Sequence, residues 1–552
     1  MTLENIKKNI YLILLLAFSL LVVWPLFLPG YFSHHDDLQV MRIFEMRKCF
    51  EDLQIPCRWV SDMGYGNGYP LFNYYNPFIY YVGGLLSFIF GFILSAKILF
   101  FMAALSGGIS MYYLGKEIFG KEAGFVAAIL YQFVPYKALD LYVRGALAES
   151  FAISIVPLCF LFAYKLIREF KVRYFIILTI SLAILLTSHN IMTIFFIPTL
   201  ILFCAFWIYI EKSKLFIPLI LSLALGFGLS AFFTIPSFFE KDLVQIENLT
   251  RLDLDFRAHF VSLNQLFFDR SWGYGASSPG SDDTISFQIG WPHWWIVIAS
   301  IISMAIYFKE RSSKYALLIL LVFIVAIFMT HIRSAFIWEK FTLLRFVQFP
   351  WRFLSVAVFS ASLLGGFLVS STSVKYKKYS MILIVTLAVV LNSNFFKPGQ
   401  FYPNLSDQQK LSGQFWEQQQ KAAILDYLPQ TALKPQEAAP SMPIITFGQA
   451  NIKDFKIRSN RFEFNIDVVE EAKIEVPIFD FPDWQVLAND KVIPHTQGTI
   501  GRIAFSLDRG EYLVEGQFEN TLIRTLSNWV TIISFLLLLV IIFYAKDRKI
   551  FR

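Results

Sequence analysis

Groups able to move a proton are concentrated at Ser33-His34-His35-Asp36-Asp37, directly after an apolar run from Ile10 to Leu28. Four adjacent ionisable side chains are costly next to lipid, so they belong at a water interface with a task there. A carboxylate pointing into a cavity can take a proton from an acceptor hydroxyl while a leaving group departs. Asp36 and Asp37 are the candidate bases, and His35 is a candidate substrate contact. A plainer reading stays open, in which one of the two aspartates caps an amphipathic helix over 38–54 lying on the membrane surface.

Three further constellations qualify. Arg144 and Glu149 share Tyr142-Val-Arg-Gly-Ala-Leu-Ala-Glu149. A carboxylate entering a span is either working or paired with the arginine. Thr187-Ser188-His189-Asn190 offers His189 to a phosphate oxygen, or serves hydrogen bonding between helices. Arg345 and Arg352 stand at the outer end of a span, against the usual bias, and a guanidinium fork matches a phosphate. Pairing with loop carboxylates is the alternative for them. The loop 236–292 carries Asp253, Asp255, Arg257, His259, Asp269, Arg270, Asp282 and Asp283. Within it, Trp272 and Tyr274 lie among glycines and provide either a stacking platform for a sugar ring or an interfacial anchor. No metal-binding Cys/His spacing and no nucleotide-binding fingerprint occurs.

These residues need a membrane scaffold to position them. Of 552 residues, 56% are hydrophobic and 16% charged, with 60 phenylalanines, which excludes a soluble multidomain enzyme. The net charge of +7 is not a nucleic-acid signature, because lysines and arginines fall in short clusters between apolar runs. Spans are expected at 10–29, 94–115, 122–138, 150–167, 174–188, 191–210, 215–235, 293–308, 315–330, 350–370, 379–393 and 527–545. A further apolar stretch, 77–92, must not cross. Only then do Lys7 and Lys8, the clusters at 116–122, 165–173, 211–214, 309–314 and 375–378, and the tail with Lys546, Arg548, Lys549 and Arg552 all lie on one side. This predicts about twelve spans in a plasma membrane, with both termini cytoplasmic and long outward segments at 30–93, 139–149, 236–292 and 394–526. Cys49 and Cys57 share the first outward loop and can pair in an oxidising compartment or stay free. Cys159 and Cys204 read as packing residues.

The chain divides into a transmembrane domain, 1–393, a linker with a short helix around Asp407 to Leu428, 394–440, an outward β domain, 441–522, and a last span, 527–545. Strand-like alternation runs over 461–468, 473–479, 484–488, 500–507 and 511–518, with turn signals at Pro482-Asp483, Asn489-Asp490 and Arg509-Gly510. A small sandwich-like all-β fold follows.

His35-Asp36 after the first span, Ser188-His189-Asn190, Trp272-Gly-Tyr-Gly through Ser286-Phe-Gln-Ile-Gly290, Gln348-Phe-Pro-Trp-Arg352 and Phe481-Pro-Asp-Trp484 occur in one chain. Together they resemble the GT-C superfamily of integral-membrane glycosyltransferases. Within it the chain is most similar to bacterial membrane proteins grouped as YfhO-like and as 6-pyruvoyl-tetrahydropterin-synthase-related. The resemblance implies a polyprenyl-phosphate-linked sugar donor, an acceptor that is a glycan, lipid or protein of the cell envelope, and reaction outside the cytoplasm of a bacterium. It gives Asp36 the base role, with Asp37 second, and makes Glu149 the second acidic residue. The oligosaccharyltransferase pattern includes a tight Asp-x-Asp pair that binds a divalent metal. Glu149 instead follows Leu147 and Ala148, so a reaction without metal or other cofactor is expected. A competing expectation is a non-catalytic lipid-handling protein, flippase or assembly factor for envelope polymers.

Overall fold

The computed structural model describes residues 3–280 and 283–547. Asp282, Arg548, Lys549 and Arg552 lie outside these, as do the side chains of Lys7, Lys8 and Lys546. A helix covers every expected span: α1 Leu3–Val23, then, after two helices of the first long loop, α2 Gln39–Glu51 and α3 Phe78–Phe90, the bundle members α4 Phe92–Phe119, α5 Lys121–Gln132, α6 Leu147–Arg168, α7 Val172–Ser188, α8 Asn190–Glu211 and α9 Phe216–Phe239. They continue with α10 Trp291–Ile306, α11 Arg311–Thr330, α12 Leu354–Ser371, α13 Val374–Asn392 and α14 Leu522–Asp547. Among the described residues, eight helices are long and apolar enough to cross a membrane. The remaining four of the expected spans, α5, α7, α10 and α13, are shorter or, in α13, open with three lysines, so the span count is approximate.

The α4–α5 hairpin shows why the bundle closes tightly. A Cβ added at Gly124 would lie 2.6 Å from the backbone of Tyr112 and Lys116. Only glycine lets the two backbones approach so closely, which is how helices pack without a hydrophobic driving force between them. Helix α3 has 13 residues, about 20 Å at 1.5 Å per residue, and is too short for a hydrocarbon core of roughly 30 Å. It packs against α2 and α4.

Helix α2 corrects one expectation. It does not lie on a membrane surface: Val40, Met41, Ile43 and Met46 are all fully buried. Its N-cap is Leu38, with no side-chain cap, so neither Asp36 nor Asp37 caps it. Both carboxylates are held elsewhere. Cys49 and Cys57 form a disulfide at the far end of α2.

The C-terminal domain is one seven-stranded antiparallel sheet: β1 Ile444–Ile457, β2 Arg461–Phe479, β3 Trp484–Ala488, β4 Lys491–Ile493, β5 Thr496–Gln497, β6 Arg502–Leu507 and β7 Gly510–Phe518. Strand β2 pairs with β1 along one edge. Residues 461–468 of β2 pair with β7, and residues 472–479 pair with β6. The two wings so formed curl over a shared core of Phe464, Ile474, Val486, Phe505 and Val514, a half-barrel in one continuous sheet. The linker helix is split into Asp407–Lys410 and Gly413–Lys421.

Candidate functional site

Segments far apart in sequence meet around a cavity of about 1020 Å³. The first long loop, the α5–α6 connection, the α7–α8 corner, the loop after α9, the turn before α12 and the linker all contribute to its wall. Asp36, Arg42, Arg144, Glu149, His189, Arg352, Lys410 and Asp426 line it together.

The wall containing Asp36 is set by backbone bonds. His35 N–H donates to the Val143 carbonyl (2.9 Å) and Asp36 N–H to the Arg144 carbonyl (2.8 Å). Gln39 Nε2 donates to the Gly145 carbonyl at 2.9 Å. Gly145 turns left-handed at φ 65°, and a Cβ there would sit 2.4 Å from the His34 ring. The first acidic loop and the α5–α6 connection are therefore fastened together. Asp36 Oδ2 accepts from Arg42 Nη1 (2.8 Å) and Gln39 Nε2 (3.1 Å), which leaves Oδ1 open. Arg42 also donates to Tyr75 OH at 3.0 Å, with its guanidinium 4.2 Å from the Tyr75 ring centre. Burial alone would raise the Asp36 carboxyl, but the Arg42 charge and hydrogen bond, with His34 and His35, hold it below its ordinary value. Burial lowers His34, whose Nε2 is 3.1 Å from Tyr31 OH. Asp37 accepts from Lys410 Nζ at 2.6 Å.

Glu149 sits in the first turn of α6, where the helix dipole favours a carboxylate. It is fully buried and accepts from Tyr136 OH (2.6 Å) and Arg144 Nη2 (2.8 Å). Arg352 Nε stands 3.6 Å away and His189 Nε2 4.0 Å away. Arg144 bridges Glu149 to Asp140 and lies 4.7 Å from the Trp351 ring centre. Burial and the neighbouring Glu149 push the Asp140 carboxyl well up, although Arg144 pulls it down. Arg352 Nη1 is held by the Val347 carbonyl at 2.8 Å and by Gln348 Oε1 at 3.1 Å, but its buried Nε makes no hydrogen bond. That Nε is turned toward Glu149, and the guanidinium as a whole lines the cavity, where it suits an anionic ligand.

Three expected site residues lie away from this cavity. Arg345 is exposed and lines no part of it. Trp272 packs on Phe395 at 4.8 Å, and Tyr274 OH donates to the Lys397 carbonyl at 3.0 Å, so the two rings anchor the α9–α10 loop to the end of α13. The aromatic wall comes from Tyr74, Tyr75 and Tyr427 instead. His35, Asp36, Asp37, Arg144, Glu149, His189 and Arg352 are all brought together. The sequence reading did not single out Arg42, Lys410 or Asp426. Arg42 lies on the same face of α2 as Gln39, and that spacing from Asp36 was the available signal. Nothing in the linker marks Lys410, 373 residues from Asp37.

The carboxylates beside the arginines are paired with cations or donors. Both Glu149 oxygens are taken by a phenol and a guanidinium, a second guanidinium stands close by, and Asp36 Oδ2 carries Arg42. Among the described residues, no group of three or more His, Cys, Asp or Glu is arranged to hold a metal.

Residues 72–397, more than half of the sequence, match the family described as 6-pyruvoyl-tetrahydropterin synthase related domain, membrane protein. The chain belongs to this family. An uncharacterized protein of Lactococcus lactis subsp. cremoris is 25% identical over 372 residues, 63% of this chain, which spans only 56% of that relative's length. Among solved structures, the Archaeoglobus fulgidus oligosaccharyltransferase overlaps 76% of this chain and 64% of its own, at 15% identity and a TM-score of 0.43. The mycobacterial arabinofuranosyltransferase AftD overlaps 72% and 28%, at 12% identity and a TM-score of 0.45. ArnT from Cupriavidus metallidurans, bound to undecaprenyl phosphate, overlaps 68% and 62%, at 14% identity and a TM-score of 0.37. These are partial overlaps. The matched region of this family member holds Glu149, His189 and Arg352, while Asp36, Lys410 and Asp426 lie outside it.

Proposed function

We propose that this protein is a membrane glycosyltransferase, moving a sugar from a polyprenyl-phosphate carrier to a cell-envelope glycan, lipid or protein. The observation that carries the reading is that one cavity is lined both by a carboxylate with an open oxygen, Asp36, and by two buried arginines, Arg144 and Arg352. The wall near Arg352 is apolar, with Leu186, Ile191, Ile194, Phe346 and Phe349, and the rim exposes Phe238 and Leu343. An apolar wall beside guanidiniums suits a lipid with a phosphate head.

In this reading Arg352 and Arg144 hold the phosphate, and Glu149 aims both arginines. Asp36, with Oδ1 open, sets its negative charge toward the positive charge that grows on the sugar carbon as the phosphate leaves. No step needs a metal. The basic clusters between apolar runs support a reading in which the cavity opens on the non-cytoplasmic side of a bacterial plasma membrane, with both termini inside.

The test is transfer of labelled sugar from synthetic polyprenyl-phosphate hexoses to isolated envelopes. Asp36→Asn and Arg352→Gln should each lower turnover by about 100-fold or more. Unchanged products from both variants would sink the reading and favour lipid handling without catalysis.

A further inference from the structure

The linker between the bundle and the β domain supplies a face of the cavity. The two carboxylates already described are engaged: Asp36 Oδ2 by Arg42 and Gln39, and Glu149 by Tyr136, Arg144 and the flanking Arg352. Asp37 is tied to Lys410. Asp426 differs. It lines the same cavity, is half-buried, and makes no side-chain hydrogen bond or ion pair among the described residues. Asp253 also lines the cavity but is exposed.

Backbone bonds hold the turn that carries Asp426. On one side, Tyr65 N–H donates to the Gln420 carbonyl at 2.9 Å. On the other, Gln245 N–H donates to the Leu428 carbonyl (2.9 Å) and Gln430 N–H to the Leu243 carbonyl (2.9 Å). Between these anchors, Ala423 is left-handed at φ 56°, and Asp426 N–H closes the turn onto the Ala423 carbonyl at 3.1 Å. Next along the chain, Tyr427 stacks on Tyr74, with ring centres 5.7 Å apart. The carboxyl is thus carried on a pinned turn.

Building on the glycosyltransferase reading, we infer that Asp426 is a further catalytic residue, the group that receives the acceptor's proton. The acceptor oxygen forms its bond to the anomeric carbon while the bond from that carbon to the phosphate oxygen breaks. The electron pair leaves with the lipid phosphate, and the hydroxyl proton ends on the Asp426 carboxylate, which returns it to water in the cavity. Asp36 is the poorer acceptor of the two, because Arg42 stabilises its charged form. Burial, with the charge of Asp36, pushes the Asp426 carboxyl up to about 7 against the pull of Arg42, a basicity suited to a proton acceptor near neutrality. Tyr69, Tyr75 and Tyr427 are the other titratable groups facing it, and burial holds all three phenols protonated.

The test uses the full-length protein, the synthetic polyprenyl-phosphate hexoses and isolated envelopes as acceptor. Asp426→Asn should lower kcat by about 100-fold with the acceptor KM little changed. The wild-type rate should fall as pH drops through about 7, and the variant's residual rate should lack that limb. Asp426→Glu should recover part of kcat and bring the limb back. An Asp426→Asn enzyme with wild-type kcat and the same acid limb overturns the inference. So does equal loss in Asp426→Asn and Asp426→Glu accompanied by a lowered melting temperature, which marks a structural role. If Asp36→Asn and Arg352→Gln are inactive while Asp426→Asn turns over normally, this inference fails alone. If the wild type makes no product, the glycosyltransferase reading fails and takes this inference with it.

Discussion

Two buried glutamates, Glu149 and Glu240, each face arginine, and they differ in what completes the shell. Glu240, at the end of α9, accepts from Asn73 Nδ2 (2.9 Å), Arg524 Nε (2.9 Å) and Thr521 Oγ1 (2.5 Å). Tyr74 OH donates to its backbone carbonyl at 2.7 Å. These partners come from the first long loop and from the root of α14, so Glu240 ties the last helix, and with it the β domain, to the bundle. Glu149 accepts two close hydrogen bonds, while Arg352 and His189 stand off at 3.6 and 4.0 Å beside open volume. A buried carboxylate closed in by fixed donors is a pin. One whose cations also face a cavity can trade part of that attraction for a ligand. Burial, charge pairing and an arginine nitrogen left without a hydrogen bond, Arg352 Nε in one and Arg524 Nη2 in the other, are common to both, so none of these separates site from scaffold; the cavity does.

The comparison can be broken by exchanging the expected outcomes. Glu149→Gln should cut transfer by about 100-fold or more while the protein stays folded, because Arg144 keeps Asp140 and Arg352 keeps Val347 and Gln348. Glu240→Ala should do the reverse, costing about 3–5 kcal/mol of stability by stranding Arg524, with turnover per folded molecule retained. Melting curves paired with specific activity read both. If the two variants behave alike, the distinction is void.

Gly145→Ala is expected to be milder. The left-handed backbone costs about 1–3 kcal/mol for a non-glycine residue, and the methyl meets the His34 ring. A lower melting temperature with reduced transfer would show that fastening the two loops matters to the site. A smaller effect concerns pH. Asp36 is held below its ordinary value in the fold, so its pairing with Arg42 stabilises the protein above the usual carboxylate range. That contribution is lost as pH falls through the lowered value. The wild-type melting temperature should therefore drop on strong acidification, below about pH 4, and Asp36→Asn should flatten that drop. Arg345→Ala should change neither activity nor stability measurably, since the side chain is exposed and outside the cavity.

What the sequence showed, and what it hid, follows from range. Apolar runs mark helices locally, so a helix lies over each expected span, and alternation marked β2, β3, β6 and β7. Strand β1 escaped because it is an edge strand exposed along most of its length, so its residues do not alternate. Arg144 and Glu149 share one short segment, and their joint burial could be read from the cost of a charge entering a span. His189 and Arg352 were visible as polar residues at the ends of apolar runs. The roles of Asp37 and Asp426 were not, because they depend on a linker that folds back some 370 residues later in the chain, and composition says nothing about that return. Trp272 and Tyr274 looked like a sugar platform by type alone, yet their neighbours at Phe395 and Lys397 decide otherwise.

The most direct test of the central claim is a high-resolution structure of the protein in lipid after addition of a polyprenyl phosphate. The account predicts phosphate density in the cavity within hydrogen-bond reach of the Arg352 and Arg144 guanidiniums, and loss of that density in Arg352→Gln. Phosphate bound away from these arginines, or bound identically in the variant, would contradict it.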